Sequence, residues 1–258
     1  MKNDGFALIT GASRGLGMAF ARALAQRHCN LVLVARSPEP LRTFADELRR
    51  AHPVSVVAIR VDLSSAGAGQ ILAEQLSRGG IPVELLVNNA GFGLRGEFRA
   101  NSLPRQLEML RLNNQAIVEL TYSLLPGMLE RRQKGIINIS STAGFQPIPF
   151  ASAYSASKAF LTTFSLALEQ ELRDVGVTVV TVCPGRLSKT QNGSSEHARG
   201  KWVGIYQTPE QVVDDALRVL ANGGGLTVPG ALNKFSVFAQ RLIPRRIVPR
   251  LVAKLSRA

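Results

Sequence analysis

Six short runs along the chain are apolar almost throughout: FALIT, LVLVA, VSVVAIRV, VELLVNN, GIINIS and VTVVTVC. Each is rich in β-branched residues, which predicts strands, and the lack of a polar alternation predicts that helices cover both of their faces. Between the runs, apolar residues recur at three- and four-residue spacing, the period of an amphipathic helix. Repeated βα units in this order predict an α/β fold with a parallel, doubly wound sheet. Ligands in such sheets bind at the carboxyl ends of the strands, so chemistry is expected where the apolar runs stop.

Beyond Cys183 the pattern lapses for more than twenty residues, PGRLSKTQNGSSEHARGKWVGIYQ, a stretch whose length suits a lid or binding loop. Periodicity resumes at Thr208-Pro209-Glu210-Gln211, which combines an N-cap, proline at the first helical position and glutamine as reciprocal cap. A last strand is expected in GLTVPG, followed by a tail in which Pro244 and Pro249 break any helix into short pieces. The organisation expected is one dinucleotide-binding and catalytic domain over residues 1–231 and a basic amphipathic tail over 232–258.

Composition narrows the class. With 45% hydrophobic residues, 23 Gly and no low-complexity tract, the 258-residue chain reads as one globular domain. Cys29 and Cys183 sit in or beside apolar runs and read as reduced core thiols, placing the chain in a reducing compartment. The amino-terminal residues resemble no signal peptide, and no window reaches the roughly 18 uninterrupted apolar residues of a spanning helix. A cytoplasmic location follows as the expectation. Net charge is +13, and its placement is uneven: residues 216–258 hold eight basic residues and no acid. Such a tail points to an anionic surface, a membrane or an acidic carrier protein, which would make the chain peripheral to the membrane in the first case. Nucleic acid is not expected as a partner, because no helix-turn-helix, zinc-finger or aromatic RNA-binding signature accompanies the charge. His28, His52 and His197 have no companions at metal-ligand spacing, so no metal site is expected.

The first strand runs into Thr10-Gly11-Ala12-Ser13-Arg14-Gly15-Leu16-Gly17 and then into a helical pattern. Glycines there let backbone amides and a helix N-terminus approach a pyrophosphate. Gly11, Ser13, Arg14, Gly15, Leu16 and Gly17 are therefore candidate cofactor contacts. Many such domains place an acid about 20 residues further on, against the ribose 2′-hydroxyl, but the second strand here closes with Arg36. Arg36 and Arg14 suit a 2′-phosphate through charge-assisted hydrogen bonds, which favours NADP over NAD.

From about Phe6 to Pro229 the chain resembles the single-domain branch of the short-chain dehydrogenase/reductases, a Rossmann-like family. The glycine loop matches TGxxxGxG; Asp62-Leu63 resemble the adenine-contacting pair; Asn89, Ala90 and Gly91 close an NNAG motif; and Pro184-Gly185 match the turn beside the nicotinamide. Resemblance also implies a catalytic set. Asn113 would hold a relay water with its amide. Ser141, thirteen residues before the tyrosine, would fix the substrate carbonyl oxygen, with Ser140 as the fallback. Tyr154 and Lys158 match YxxxK. In the family's pattern the lysine lowers the phenol pKa and binds the nicotinamide ribose, while the phenol donates a proton to the carbonyl oxygen. The implied activity is NADPH-dependent reduction of a ketone or aldehyde, with a 3-oxoacyl thioester or other bulky hydrophobic ketone as substrate, by a homo-oligomer. A non-catalytic NADP-binding sensor or scaffold is the alternative, and the complete Asn-Ser-Tyr-Lys set argues against it. One departure concerns the loop threonine of the family: Lys189 occupies its position, leaving Ser188 or Thr190 to take the role. Trp202 and Tyr206 either wall the substrate pocket or pin the loop.

Overall fold

All seven expected strands form. In a computed structural model of the chain, which describes residues 5–131, 134–188, 206–240, 242–244 and 246–257, they are β1 (Phe6–Thr10), β2 (Asn30–Ala35), β3 (Val56–Arg60), β4 (Val83–Asn88), β5 (Gly135–Ile139), β6 (Thr178–Val182) and β7 (Gly225–Thr227). They make one sheet in the order β3-β2-β1-β4-β5-β6-β7, with every neighbouring pair parallel. The direction of winding reverses between β1 and β4. Registers Ile9↔Val87 and Asn88↔Asn138 set the carboxyl ends of β1, β4 and β5 side by side at that reversal.

Successive residues of each strand enter different cores, as period-two geometry requires. Ile9, Leu31, Leu33, Ile137 and Val180 pack on one face against α1 (Gly15–Ala25), α2 (Pro38–Ala51) and α7 (Pro209–Ala221). Leu8, Val32, Leu86, Ile136 and Val179 pack on the other against α3 (Ala68–Arg78), α5 (Ala116–Leu129) and α6 (Ser152–Arg173). Both faces are therefore covered, which explains the unbroken hydrophobicity of the strands.

The cap read from the sequence at Thr208 is present: its Oγ1 accepts from the Gln211 amide at 3.3 Å, and Gln211 Oε1 accepts from the Thr208 amide at 3.1 Å. One helix is less regular than its apolar spacing suggests. α4 (Leu103–Leu110) continues into α5 through a π-turn over Arg111–Gln115 that carries Asn113. In the tail, Pro244 separates α8 (Ala231–Gln240) from α9 (Val248–Arg257), and Pro249 sits in the first turn of α9, where a missing N–H is harmless. Val237 anchors α8 against Cys183 and Val228. Cys183 is buried and Cys29 half-buried, and neither is bridged. Among the described residues no helix is long and apolar enough to cross a membrane.

Candidate active site

The loop after β1 is shaped by what its glycines permit. Gly11 and Gly15 have φ of +66° and +53°, values that side-chain-bearing residues rarely adopt. A Cβ on Gly17 would collide with the carbonyl of Gly11, whereas one on Gly15 would meet only open space. The N-terminal amides of α1 thus face a free cradle, and no side chain caps them, since Arg14 makes no capping hydrogen bond. That arrangement fits a pyrophosphate, whose charge the uncapped helix terminus favours. Asn89 fixes the loop from the neighbouring strand: its Nδ2 donates to the Thr10 carbonyl at 2.8 Å, and Thr10 Oγ1 accepts from the amides of Asn89 and Ala90 at 2.9 Å each. Deeper in the sheet, Asn88 Nδ2 donates to Asn138 Oδ1 at 2.8 Å, and Asn138 Nδ2 to Ser165 Oγ at 2.9 Å, crossing from β4 through β5 to α6.

At the adenosine end, Leu63 is buried in the core and offers its backbone alone, while Asp62 is exposed. Burial raises the Asp62 carboxyl, but hydrogen bonds from the Ser64 hydroxyl and amide, with the charge of Arg36, outweigh it and leave the group below its ordinary value. Arg36 is not free. Its Nη1 donates to Glu108 of α4 at 3.0 Å, and Arg105 holds the other oxygen of the same carboxylate. One guanidinium nitrogen is thereby occupied, leaving the Nε and Nη2 edge for a phosphate. Ser13 is half-buried and Arg14 exposed beside it.

The two candidate serines are distinguished by orientation. Ser140 is buried, bonding the Lys158 carbonyl at 2.9 Å and Thr162 Oγ1 at 2.7 Å. Ser141 caps a short 3₁₀ turn, accepting from the Ala143 amide at 3.1 Å, and its hydroxyl is a polar neighbour of the Tyr154 phenol that acts to lower the phenol's pKa. Ser141 is therefore the serine at the phenol. The Tyr154 ring lies against Gly93, where a Cβ would approach it to 3.2 Å. Gly91 separates Asn113 from Lys158: a Cβ there would come within 2.9 Å of Asn113 Oδ1 and 3.7 Å of Lys158 Nζ. Pro184 and Gly185 close the site from β6, with the Pro184 carbonyl accepting from the Thr142 amide at 3.0 Å.

Two features of the structure bear on roles that the resemblance implies. The side-chain amide of Asn113 is fully engaged, donating to the Phe92 carbonyl at 3.0 Å and Ser157 Oγ at 3.1 Å and accepting from the Phe92 amide at 3.2 Å. It braces the loop after β4 and has no N–H left for a relay water. The pKa of Tyr154 is raised, not lowered, because burial outweighs the opposing hydrogen bond with Ser141 and the charge of Arg95. Lys158, which the resemblance casts as the group that lowers it, instead donates from Nζ to the Ile139 carbonyl at 2.8 Å. Burial brings its own pKa down to about 8, against a raising contribution from Cys183.

Other features of the site carry no sequence signature. Arg95, after β4, lies near the phenol, and Arg186, after β6, lies near Arg95; burial lowers the Arg95 pKa, Arg186 adds to that, and Tyr154 opposes it. Phe150, just before α6, has φ of +65°, a strained conformation of the kind that clusters at functional sites, and its carbonyl accepts from the Gly96 amide at 2.8 Å. Tyr206 is exposed, and Ser188 Oγ donates to the Gln207 carbonyl at 3.2 Å. Lys189, Thr190, His197 and Trp202 lie outside the described residues. His28 and His52 close α1 and α2, and among the described residues no cluster could hold a metal.

A phosphate cradle at the switch point, with a serine, a phenol and a buried ammonium around the next strand ends, is the apparatus of a dinucleotide-dependent oxidoreductase. The family model described as "short chain dehydrogenase" matches residues 5–200. The chain belongs to that family, whose members act on a CH–OH/C=O pair. It is 37% identical to a ketoacyl reductase of Nostoc sp. over 83% of this chain and 75% of the relative. Among solved structures it is similar to a short-chain dehydrogenase from Sphingobium yanoikuyae in complex with NADPH, with TM-score 0.80 and 29% identity over 92% of this chain and 93% of the other. It is also similar to a bulky-bulky ketone specific alcohol dehydrogenase from Comamonas testosteroni, with TM-score 0.78 and 29% identity over 92% of each chain.

Proposed function

We propose that the protein is an NADPH-dependent carbonyl reductase whose substrate is a 3-oxoacyl thioester or another bulky hydrophobic ketone. The observation that carries the reading is the Ser141–Tyr154 pair beside buried Lys158. When bound, the nicotinamide supplies the hydride. The protein orients the carbonyl and delivers the proton. A phenol raised by burial stays protonated at neutral pH, which is the form a reductase needs as proton donor. Ser141 holds the hydroxyl in line, and Lys158 keeps a positive charge one turn below it. Arg95 and Arg186 add charge at the mouth, which suits acyl thioesters of phosphorylated carriers. The ketoacyl and bulky-ketone activities of the two relatives support the substrate class.

Measuring NADPH consumption over a carbonyl panel, from small aldehydes through acyl thioesters to steroid ketones, tests this. Turnover confined to the small aldehydes, or absent altogether, would overturn the substrate assignment. Cofactor choice is tested separately by Arg36→Ala. Loss of a charge-assisted bond of about 1.5–3 kcal/mol should weaken NADPH binding roughly 10- to 100-fold and leave NADH binding unchanged, read by fluorescence titration.

A homo-oligomer is the assembly proposed. Leu107, Val118 and Phe160 are exposed and line a groove of about 570 Å³ between α4, α5 and α6. A second copy would cover that groove. Leu107→Glu should then lower the mass measured by light scattering while circular dichroism still shows a folded chain, since this side chain is already 40% exposed.

A further inference from the structure

α8 holds two unlike sides. Val237 is buried against the body, and Asn233 pins the first turn by donating from Nδ2 to Gln207 Oε1 at 3.1 Å and to the Pro229 carbonyl at 3.0 Å. Leu232, Phe235 and Phe238 point the other way, at i, i+3 and i+6, and are 57, 68 and 59% exposed. Three large apolar side chains at helical spacing form a continuous outward stripe. Leu242, Ile247 and Leu251 extend the exposed apolar surface toward and into α9. Around it the charge has one sign: residues 231–258 contain seven basic residues and no acid, and Lys234, Arg246 and Arg250 are exposed among the apolar groups.

From this we infer that α8 and α9 form a docking surface for an anionic lipid bilayer. The inference goes beyond the reductase reading and does not depend on it. A helix that lies in the interfacial plane needs a large apolar stripe, basic flanks and an absence of acids, and this segment has all three. An acidic protein would complement the charge but has no need of the phenylalanine stripe. The lipid interior is the partner that rewards both features, since apolar area and basic residues each add to interfacial binding. Because Asn233 and Val237 already fix α8 to the body, the stripe is presented without local unfolding.

The test is co-flotation of the full chain with vesicles of phosphatidylcholine alone and with about 30% phosphatidylglycerol. The wild type should float with the anionic vesicles only, and raising salt from about 0.1 to about 0.5 M should release it as the Debye length shrinks. Phe235→Ser/Phe238→Ser and Lys234→Gln/Arg246→Gln/Arg250→Gln should each cut the floated fraction at least about tenfold, with melting temperature unchanged because all five side chains are exposed. Absence of wild-type flotation would overturn the inference. So would flotation lost in the charge variant and kept in the phenylalanine variant, the behaviour of a surface that reads charge alone. A fall in oligomer mass in the phenylalanine variant would reassign the stripe to a subunit interface.

Discussion

Tyr154→Phe should abolish nearly all carbonyl reduction, lowering turnover by roughly 10³-fold, while NADPH affinity stays within about threefold. The substitution removes one oxygen and leaves the ring against Gly93, so the cradle at Gly15 and the Arg36 edge are untouched. Its polar neighbour, Ser141, keeps its bond from the Ala143 amide and stays in place. A rate reduced only a few-fold would mean that some other group donates the proton. Full biological effect despite lost turnover would move the protein to the sensor or scaffold reading.

Lys158→Met should produce a protein that is more stable and far less active. Lys158 is 6% exposed, and burial has brought its pKa from 10.5 to about 8. At neutral pH both folded and unfolded chains hold the proton, so the folded state bears the full burial cost of about 3 kcal/mol. Losing the Nζ bond to the Ile139 carbonyl offsets about 1 kcal/mol of the gain from removing that charge. The expected net stabilisation is roughly 2 kcal/mol, with turnover down about 10²-fold or more because the site loses its cation.

The pH dependence follows from the same shift. As the folded pKa lies below the unfolded one, the cost of Lys158 fades as pH rises from about 8 to 10.5. Cys183, raised from 9 to about 11 by burial, works in the opposite sense above pH 9. Wild-type stability should therefore climb only between about pH 8 and 9. The advantage of Lys158→Met should keep shrinking up to about 10.5, and urea denaturation across that range would show it. An advantage that grows with pH would mean that the ammonium is stabilised where it sits.

The seven strands, the helix cap at Thr208 and the one-turn spacing of Tyr154 and Lys158 on α6 were legible because each depends on neighbours in sequence: β-branched runs, Thr208 with Gln211, and two residues four apart on one helix. What escaped depends on partners far along the chain. Glu108 lies 72 residues from Arg36, and nothing in VAR suggests that an acid on α4 will take one of its nitrogens. Asn113 was found by resemblance, but the engagement of its amide by Phe92 and Ser157 follows from a π-turn that no apolar spacing announces. The direction of the Tyr154 shift is a balance between burial and two polar neighbours, Ser141 and Arg95, and burial is a property of the finished fold. Choosing Ser141 over Ser140 rested on a spacing alone, and the structure supplies the cause: Ser140 turns inward to Thr162.

The asparagine link from β4 through β5 to α6 has a bearing on how the chain finds its alignment. Strands apolar on both faces gain almost as much from a slip of two residues as from the native pairing, since each slipped residue still meets a hydrophobic layer. Asn88, Asn138 and Ser165 break that degeneracy. Only one alignment lets Asn88 reach Asn138 while Asn138 reaches Ser165, and any shift strands polar groups in a dry interior. Three uncharged side chains thus favour the native register over slips that the hydrophobic residues alone would accept.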